Sequence, residues 1–360
     1  MHLCRLQVIG VRNLRDVRIE PGPGLNVIAG DNGAGKTSLL ESIHLLATGH
    51  SFRTRQLAPL LARGADAVQI TARVQGPAGT PSYPVGIRKT QGETLVRIRG
   101  RCATGLAELA RELPVLAIHP ESHVLVAGPP GQRRAFLDWG AFHREPDFQG
   151  VWQRYRRLLQ QRNAALRAGG DLRQLSAWDE SLAMEGEHLD DLRRAYLDVL
   201  KEGLAELGQD WRAAGTLESE YRRGWPEGQR LGEALSRNLA RDRGAGFTHA
   251  GPHRAEVIWR LDERVAAEVA SRGQQKTLVI MLRLAQARVL KAEKGRAPVM
   301  LVDDLPSELD ATHREQVMGL LRALETQVFV TAIDARDVDV TGWAETRMFH
   351  VEHGRVSTPD

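Results

Sequence analysis

The sequence predicts an α/β protein in which two α/β parts are separated by a helical insertion. Short β-branched and apolar runs dominate both ends of the chain, and a glycine-rich loop joins one of these runs to a helix. The middle of the chain instead has an Arg- and Leu-rich pattern with helical spacing. We expect the first α/β part at residues 1–127, the insertion at 128–245 and the second α/β part at 246–360.

The first part begins with predicted strands in LCRLQVIGV, DVRIE and LNVIA. A helix follows from about Lys36 to Leu46, with its leucines at helical spacing. Further β-branched segments, separated by Gly and Pro, predict a small mixed sheet between about residues 66 and 118. These segments include AVQITARV, YPVGIRK, TLVRIRG and LPVLAIH.

The insertion carries apolar residues at helical spacing but without strict heptads, and Gly169, Gly170 and Gly208 interrupt the pattern. This favours a short bundle or arm over a long coiled coil. In the second part, AEVIWRL and RVAAEVA predict strands, and a helix is expected from about Gln274 to Lys294. The strands Val299 to Val302 and Val328 to Ala332 are expected to close the chain.

The composition is that of a soluble globular protein, with 42% apolar and 26% charged residues among 360. The sequence has no run of about 18 apolar residues, the length needed to span a bilayer, and it has no targeting pattern. We therefore expect a cytoplasmic protein. Cys4 and Cys102 form no CxxC pair and imply neither disulfides nor a metal site. The net charge of +4 is modest but fits a phosphate-bearing partner, whereas the predominance of Arg among the basic residues is explained as well by compositional bias as by phosphate recognition.

The segment GDNGAGKT, from Gly30 to Thr37, matches the phosphate-loop pattern between an apolar strand and a helix. Backbone N–H groups and the positive end of the helix can cradle phosphate oxygens there. Lys36 would reach the β- and γ-phosphates, and the Thr37 hydroxyl would bind Mg²⁺. An ordinary glycine-rich turn is the alternative interpretation.

The segment PVMLVDD predicts a buried strand that ends in Asp303 and Asp304. Asp303 would hold Mg²⁺ directly or through water, and Asp304 would orient or deprotonate the attacking water. A strand followed by a solvated acidic turn is the alternative. The phosphate loop elsewhere in the chain makes the metal-binding interpretation the stronger one.

A third segment, SRGQQK from Ser271 to Lys276, opens the helix predicted near Gln274. A hydroxyl, free backbone N–H groups and the positive helix end suit an anion, although a plain N-cap has the same residues. SRGQQK resembles the signature of ABC-type ATPases, and LVDDLPSELD resembles a Walker B strand followed by a D-loop.

The set of motifs is similar to the RecF family, and the resemblance spans nearly the entire chain. It is supported by NVIAGDNGAGKTSLLESIHLLATGHSFR, HPESHVLVAGPPGQRRAFLDWGAFH, QRNAAL, HAGPHRAE and SRGQQKTLVIMLRLAQ. The insertion is too short for the long coiled-coil arms of the Rad50 and SMC relatives. The resemblance therefore implies an ABC-type P-loop ATPase head with mixed β-sheets and an inserted short helical arm.

The resemblance also implies ATP and Mg²⁺ as ligands, with Thr37 and Asp303 at the metal and Asp304 as the catalytic acid. In an ATP-dependent homodimer, the signature residues Ser271, Gly273 and Gln274 would contact ATP bound to the other subunit, and Ser307 and Asp310 belong to the D-loop. The residues expected to contact ATP in the same subunit are Gly30, Asp31, Asn32, Gly33, Ala34, Gly35, Lys36, Thr37 and Ser38.

The partners implied are double-stranded and gapped DNA, and RecR and RecO in the loading of RecA, with no membrane. Hydrolysis would be weak, stimulated by DNA and used as a switch. Two departures from the general ABC pattern fit slow hydrolysis: Asp304 replaces the usual Glu, and VTAID lacks the usual switch His. No Q-loop Gln can be assigned, because His119 to Ser122 occupy its expected region.

Several further side chains have two interpretations. His119, His249 and His253 lack zinc spacing, so turn or interface roles are expected and no structural metal. A row of arginines would either face DNA phosphates or form an ordinary solvated helix face. These are Arg133, Arg134, Arg154, Arg156, Arg157 and Arg162.

Other functions remain possible at this point. A P-loop kinase or metabolic ATPase would need an acceptor pocket and a lid in place of the signature helix. The nucleotide-binding subunit of a transporter would share the ATPase motifs but lack the Arg-rich arm. An ATP-gated tether would differ only in having no turnover.

Overall fold

A computed structural model describes residues 1–76, 80–169, 172–210 and 216–358, without the side chains of 172–177, 209, 210, 307 and 308. The chain forms two compact units. One consists of Met1–Ser122 with Leu282–Asp360, and the other of His123–Met281. The second unit thus extends beyond the predicted insertion at 128–245 and includes the SRGQQK segment.

The strands and helices alternate in the manner of an α/β protein, as predicted. The strands are β1 (His2–Val11), β2 (Leu14–Ile19), β3 (Leu25–Ala29), β4 (Val68–Gln75), β5 (Tyr83–Lys89), β6 (Thr94–Ile98), β7 (Arg101–Cys102), β8 (Val115–Ile118), β9 (Leu217–Arg222), β10 (Glu256–Leu261), β11 (Arg264–Val265), β12 (Val299–Val302), β13 (Val328–Ala332), β14 (Thr346–Glu352) and β15 (Arg355–Ser357). The helices are α1 (Lys36–Thr48), α2 (Leu106–Glu112), α3 (Val124–Ala127), α4 (Pro130–Arg144), α5 (Phe148–Arg167), α6 (Leu172–Asp210), α7 (Leu231–Ala245), α8 (Ala266–Val269), α9 (Arg272–Lys294), α10 (Leu305–Glu308) and α11 (Ala311–Ala323).

The first unit is built on a six-stranded sheet in the order β15-β14-β3-β13-β12-β8. All its neighbours pair in parallel except β14 and β15. Four neighbouring strands, β3, β13, β12 and the edge strand β8, are buried along their whole length, which explains their continuous apolar sequences. Because these four strands are parallel, their carboxyl ends share one edge of the sheet, where ligands bind in such folds.

A second six-stranded sheet of the same unit is antiparallel, in the order β2-β1-β4-β5-β6-β7. Strand β4 alternates buried and outward-facing residues, so one face of this sheet packs on the core. Helix α1 packs against strands of both sheets and is buried on nearly all sides. Its buried Glu41 is neutralised by an ion pair with Arg12.

Two predictions about these sheets were wrong. The segments between residues 66 and 118 do not form a small mixed sheet, because β4, β5 and β6 join the antiparallel sheet and β8 joins the parallel one. The chain also does not close with β13, since β14 and β15 follow it. Strand β14 alternates exposed and buried residues near the sheet edge, so it lacks the continuous apolar run used to identify strands.

The second unit contains the helical arm and a small sheet in the order β11-β10-β9. Helices α5 and α6 pack antiparallel, since Arg154 pairs with Glu185 while Arg162, further along α5, pairs with the earlier Asp179. Helix α6 runs through Gly208, so this glycine interrupts the apolar spacing of the sequence without ending the helix. In RVAAEVA only Arg264–Val265 is a strand, and the alanine-rich remainder forms α8.

Gly140 on α4 allows this helix to pack closely against Tyr196 on α6. A Cβ atom at Gly140 would lie 1.8 Å from the Cζ atom of the buried Tyr196. We expect Gly140→Ala to destabilise the protein by about 3 kcal/mol, because overpacking forces one helix or the ring to move. Thermal unfolding would show this as a loss of several degrees. Gly232→Ala on α7 is the control, since a Cβ there meets only an ordinary contact at 3.7 Å and should cost nothing.

Candidate functional site

The phosphate loop lies where the sequence predicted it, between the end of β3 and the start of α1. Gly30, Gly33 and Gly35 have φ angles of 150°, 78° and 125°, which residues other than glycine rarely adopt. A Cβ atom at Gly30 would also lie 2.2 Å from the carbonyl oxygen of Val351 on β14. The loop conformation therefore depends on glycine at these positions.

The Lys36 side chain curls over the loop. Its Nζ atom donates to the carbonyl oxygens of Gly30, at 2.6 Å, and Asp31, at 3.0 Å. The residue is 8% exposed, and burial lowers the pKa of its ammonium group against the attraction of Asp304, Asp303 and Asp31. A buried ammonium group above the N–H groups of the loop is placed to meet an anion.

Asp303 stands at the carboxyl end of β12 and faces the loop. Its Oδ1 atom accepts hydrogen bonds from the hydroxyls of Thr37, at 3.0 Å, and Thr331 on β13, at 2.8 Å. The structure thus brings together Thr37 and Asp303, which are remote in sequence. A hydroxyl and a carboxylate are hard oxygen ligands, so this pair fits Mg²⁺ by its chemistry.

Asp304 has a left-handed backbone conformation, with φ of 58° and ψ of 39°. Its backbone N–H donates to Oγ1 of Thr331 at 2.7 Å. Asp tolerates this conformation better than most residues, but it still costs energy that the surrounding structure must supply. Thr331 therefore holds both acidic positions at once, through the side chain of Asp303 and the backbone of Asp304.

Asn13, in the turn between β1 and β2, braces the phosphate loop from outside. Its Nδ2 atom donates to the carbonyl oxygens of Ala34, at 2.8 Å, and Gly33, at 3.3 Å, and its Oδ1 atom accepts from Ser38 at 3.2 Å. Sequence reasoning missed both Asn13 and Thr331. The polar Thr in the apolar strand Val328–Ala332 was an available signal for Thr331, whereas Asn13 looks like an ordinary turn residue.

A cavity of about 380 Å³ opens beside these groups. Phe52 and His119 form part of its wall, with their rings stacked at a centroid distance of 4.7 Å. Arg53 and Glu121 add a cation and an acid. The cavity therefore combines an aromatic surface, a lysine, an arginine, a threonine hydroxyl and acids. Its other walls include Asn32, Gly33, Gly35, Lys36, Thr37, Ser38, Asp303, Asp304 and Thr331.

The buried carboxyl group of Asp303 is costly to the ligand-free protein. Burial raises its pKa, the nearby charge of Asp304 adds to this, and the two threonine hydroxyls oppose it only in part. Because the folded state binds the proton more tightly, the free energy of unfolding falls as pH rises from the ordinary aspartate pKa through the raised one. The full penalty is present above the raised pKa.

We therefore expect Asp303→Asn to raise the thermal unfolding temperature at pH 7.5 when nucleotide and divalent cations are absent. The amide oxygen can still accept from both threonines, and the buried charge is gone. The gain over the unsubstituted protein should shrink as the pH is lowered below about 4. Calorimetry between pH 4 and 8 with a chelator tests this, and a less stable variant at pH 7.5 would contradict it. Asp16→Asn on the surface of β2 is the control.

Ser271, Gly273 and Gln274 are exposed and belong to the second compact unit. Ser271 and Gln274 form a reciprocal cap: the Gln274 backbone N–H donates to Oγ of Ser271 at 3.3 Å, and Oε1 of Gln274 accepts from the Ser271 backbone N–H at 2.9 Å. The helix starts at Arg272, slightly earlier than predicted. Gly273 lies in its first turn.

Of the two D-loop positions, Ser307 belongs to the short helix α10 and Asp310 directly precedes α11. Asp310 caps α11 by accepting from the backbone N–H of His313 at 2.9 Å. Hydrogen bonds from His313 lower the pKa of the Asp310 carboxyl group. Ser307 falls within α10, but its side chain lies outside the described part of the structure.

The arginines proposed to face DNA differ in their surroundings. Arg162 is fully buried between Asp179 and Asp242, so both interpretations given for it, contact with DNA and a solvated helix face, were wrong. Arg154 is paired with Glu185 and Arg133 with Glu256, whereas Arg156 and Arg157 are exposed. The polar segment QRNAAL thus contributes a buried ion-pair network, a role its sequence did not reveal.

The three histidines considered above serve in turns and contacts. His249 pairs with Asp242, His253 bonds to Tyr155 and the carbonyl oxygen of Thr248, and His119 stacks on Phe52. In the ranges that the structure describes, no group of three or more His, Cys, Asp or Glu side chains is arranged to hold a metal. Within the same ranges, no helix has both the length and the apolar character needed to cross a membrane.

Comparison with known proteins gives a consistent result. The family model for the RecF/RecN/SMC N-terminal domain matches residues 2–357. The chain is 55% identical over 360 residues to the DNA replication and repair protein RecF of Thioalkalivibrio sulfidiphilus, covering 100% of both chains. It is 43% identical over 361 residues to the protein of the same name from Pseudomonas aeruginosa, covering 99% of this chain and 98% of the relative.

Solved structures agree with this result. The structure of the recombination mediator protein RecF with ATP, from the RecFOR pathway, matches with a TM-score of 0.90 and 25% identity, covering 100% of this chain and 98% of the other. An Smc head bound to the C-terminal winged-helix domain of ScpA matches with a TM-score of 0.57 and 15% identity, covering 100% and 98%. The latter similarity concerns the fold alone.

Proposed function

The chain belongs to the RecF family of the RecF/RecN/SMC N-terminal domain proteins, and on that premise we propose that it is an ATP-dependent DNA-binding protein of recombinational repair and replication-fork maintenance. The observation that carries the proposal is the contact between the Thr37 hydroxyl and the Asp303 carboxylate at 3.0 Å. It joins the phosphate loop to the acidic strand end, the two halves of an ATP and Mg²⁺ site.

ATP would lie in the cavity beside the loop, with its phosphates on the backbone from Gly30 to Ser38. Lys36 would exchange its bonds with the loop carbonyls for bonds with the β- and γ-phosphates. Thr37 and Asp303 are the residues that would hold Mg²⁺, which supplies positive charge to the phosphoryl group in transfer. Asp304 would orient or deprotonate the attacking water.

Slow hydrolysis fits the position of Asp304. Its side chain is one methylene shorter than the Glu usual at this position, and its backbone is fixed by Thr331 in a left-handed conformation. A shorter acid on a fixed backbone reaches less far towards the γ-phosphate. Turnover would then act as a timer for release and not as a source of rapid work.

We also propose that ATP joins two copies of the chain head to tail. The supporting observation is that Ser271, Gly273 and Gln274 are exposed at the start of α9. Each subunit would present this segment to the γ-phosphate held by the phosphate loop of the other, so that two ATP molecules are buried. Loss of the γ-phosphate would remove the shared anion and weaken the dimer.

The ATP dimer would bind double-stranded and gapped DNA and act with RecR and RecO to help load RecA at single-strand gaps. Support comes from the 55% identical RecF relative and from the solved recombination mediator of the RecFOR pathway. The excess of basic residues in the chain agrees with a phosphate-bearing partner.

The test is the molar mass in solution with ADP, with ATP, and with ATP plus duplex DNA, by light scattering coupled to size exclusion. We expect a monomer with ADP, a dimer with ATP, and a dimer bound to duplex in the third sample. A monomer in all three samples that ignores DNA would favour a metabolic P-loop ATPase instead.

A further inference from the structure

Two segments that carried the family resemblance meet inside the second unit. They are the start of α4, which contains Arg133 and Arg134, and the turn from Gly251 to Glu256. Arg133 forms a two-pronged ion pair with Glu256, at 2.7 and 3.0 Å. Arg134 donates to the carbonyl oxygen of Ala255 at 2.8 Å. The functional site described above uses neither segment.

The turn is fixed by bonds to its surroundings. The backbone N–H of Gly251 donates to the carbonyl oxygen of Gly224 at 3.2 Å, and Arg193 donates to the carbonyl oxygen of Pro252 at 2.6 Å. Gly251 has a φ of 135°, and a Cβ there would lie 2.6 Å from the hydroxyl of Tyr155. The position of the turn relative to α4 is therefore set before any ligand arrives.

His253 contributes no charge to this region. Its ring bonds to the Tyr155 hydroxyl at 2.6 Å and to the carbonyl oxygen of Thr248 at 3.0 Å. A carbonyl only accepts, so Nε2 carries the proton and Nδ1 accepts from Tyr155. Burial lowers the pKa of His253 to about 4, opposed by the Thr248 carbonyl and assisted by the nearby Arg254, Arg134 and Arg193. The ring is neutral at physiological pH.

The charges of the region do not balance. Four arginines lie around the turn, and two carboxylates face them, Asp138 and Glu256. Each carboxylate forms a bidentate ion pair with one guanidinium group. Asp138 pairs with Arg193, at 2.7 and 3.1 Å, and Glu256 pairs with Arg133. Arg134 and Arg254 make no ion pair with a carboxylate in the described part of the chain, so two positive charges remain.

The two remaining arginines differ in exposure. Arg134 is half-buried, and burial lowers its pKa, with the repulsion of Arg193 and Arg254 adding to the effect. Arg254 is exposed and lies on the pinned turn. Holding a half-buried guanidinium near other cations costs free energy that a bound anion would recover. The geometry is that of an anion site with an open side.

We propose that Arg134 and Arg254 form a binding site for a phosphate group of the DNA backbone. The inference rests on the proposed function, because the DNA supplies the phosphates. Guanidinium forks match phosphate oxygens in geometry, and arginine keeps its charge when it is partly desolvated. Because Arg254 is exposed, an extended polyanion can reach the two arginines. The hydrogen bonds that fix the turn from Gly251 to Glu256 also fix the position at which the polyanion binds.

The test measures the affinity of the full chain for a duplex with ATP at several salt concentrations, for the unsubstituted protein, Arg254→Gln and the Arg134→Gln/Arg254→Gln double variant. Loss of this phosphate contact in the double variant should lower the magnitude of the slope of log affinity against log salt by about one unit. At 0.1 M salt this corresponds to about an eightfold loss of affinity, and Arg254→Gln alone should show a smaller change in the same direction. Arg237→Gln, which removes an exposed arginine from α7, is the charge-matched control and should change neither quantity.

Each outcome is decisive. Unchanged slopes in a protein that binds duplex would overturn the inference and leave the proposed function intact. An equal loss in Arg237→Gln would also overturn it, since net charge alone would then explain the effect. No binding of duplex by the unsubstituted protein would reject the proposed DNA function, and the inference with it. If the variants bind duplex as tightly as the unsubstituted protein but bind poly-glutamate more weakly, the two arginines are a site for an acidic protein and not for DNA. Nucleotide affinity, measured in parallel, should be equal in all variants.

Discussion

Lys36→Met is expected to lower the affinity for ATP by at least about 100-fold, because two charge-assisted hydrogen bonds to phosphate oxygens are lost. The methionine side chain fills nearly the same space, so the buried position is not left hollow. Titration with a fluorescent ATP analogue measures the effect. The ATP-dependent change in molar mass should disappear with it.

Lys89→Met is a matched control for this prediction. The Nζ atom of Lys89 donates to the carbonyl oxygen of Gly49 at 2.9 Å, so Lys89 is also a lysine that bonds to backbone, although it is only half-buried. It does not line the cavity beside the phosphate loop. ATP affinity should be unchanged in this variant, and an affinity within threefold of the original in Lys36→Met would refute the assigned role.

Ser271→Arg is expected to abolish the ATP-induced dimer while ATP still binds each subunit. By symmetry the substitution places an unpaired guanidinium in both shared sites, and a buried charge without a partner costs several kcal/mol. We expect the dimer dissociation constant to rise by at least about 100-fold. Light scattering with ATP, together with nucleotide titration of the same samples, separates the two properties.

Two controls separate this blockage from loss of the helix cap. Ser271→Ala removes the hydroxyl that accepts from Gln274, which costs about 1 kcal/mol of local stability but leaves the surface open. Ser236→Arg adds the same side chain to an exposed position of α7. Both variants should dimerise with ATP more strongly than Ser271→Arg. Normal dimerisation of Ser271→Arg would show that the signature segment does not face the other subunit.

The phosphate loop and the strand ending in Asp303 could be predicted from the sequence because each is a local pattern. A glycine loop between a strand and a helix, or an apolar run followed by acids, is complete within about ten residues. The approach of Thr37 to Asp303 was implied when both residues were assigned to one Mg²⁺ ion, and the shared carboxyl edge of the parallel strands accounts for it. These predictions needed no knowledge of the strand order.

Thr331 and Asn13 could not be identified in the same way. Thr331 acts because β13 lies beside β12, and Asn13 acts because a hairpin of the other sheet reaches the loop. Likewise, β8 was placed in the wrong sheet because its four apolar residues do not specify their neighbours. Arg162 was expected at the surface because charged side chains are usually exposed. Its burial is possible because Asp179 and Asp242 pair with its charge.

The strand order of the parallel sheet has a consequence for synthesis of the protein. Strand β3, which leads into the phosphate loop, pairs with β13 and β14, and both of these come from the end of the chain. On the ribosome, β3 therefore waits with both edges open until nearly the whole chain has been translated, while residues 123–281 form a continuous stretch that can fold earlier. A nascent chain that stalls before β13 would expose two unpaired edges beside its glycine loop, a state that chaperones or proteases would have to handle.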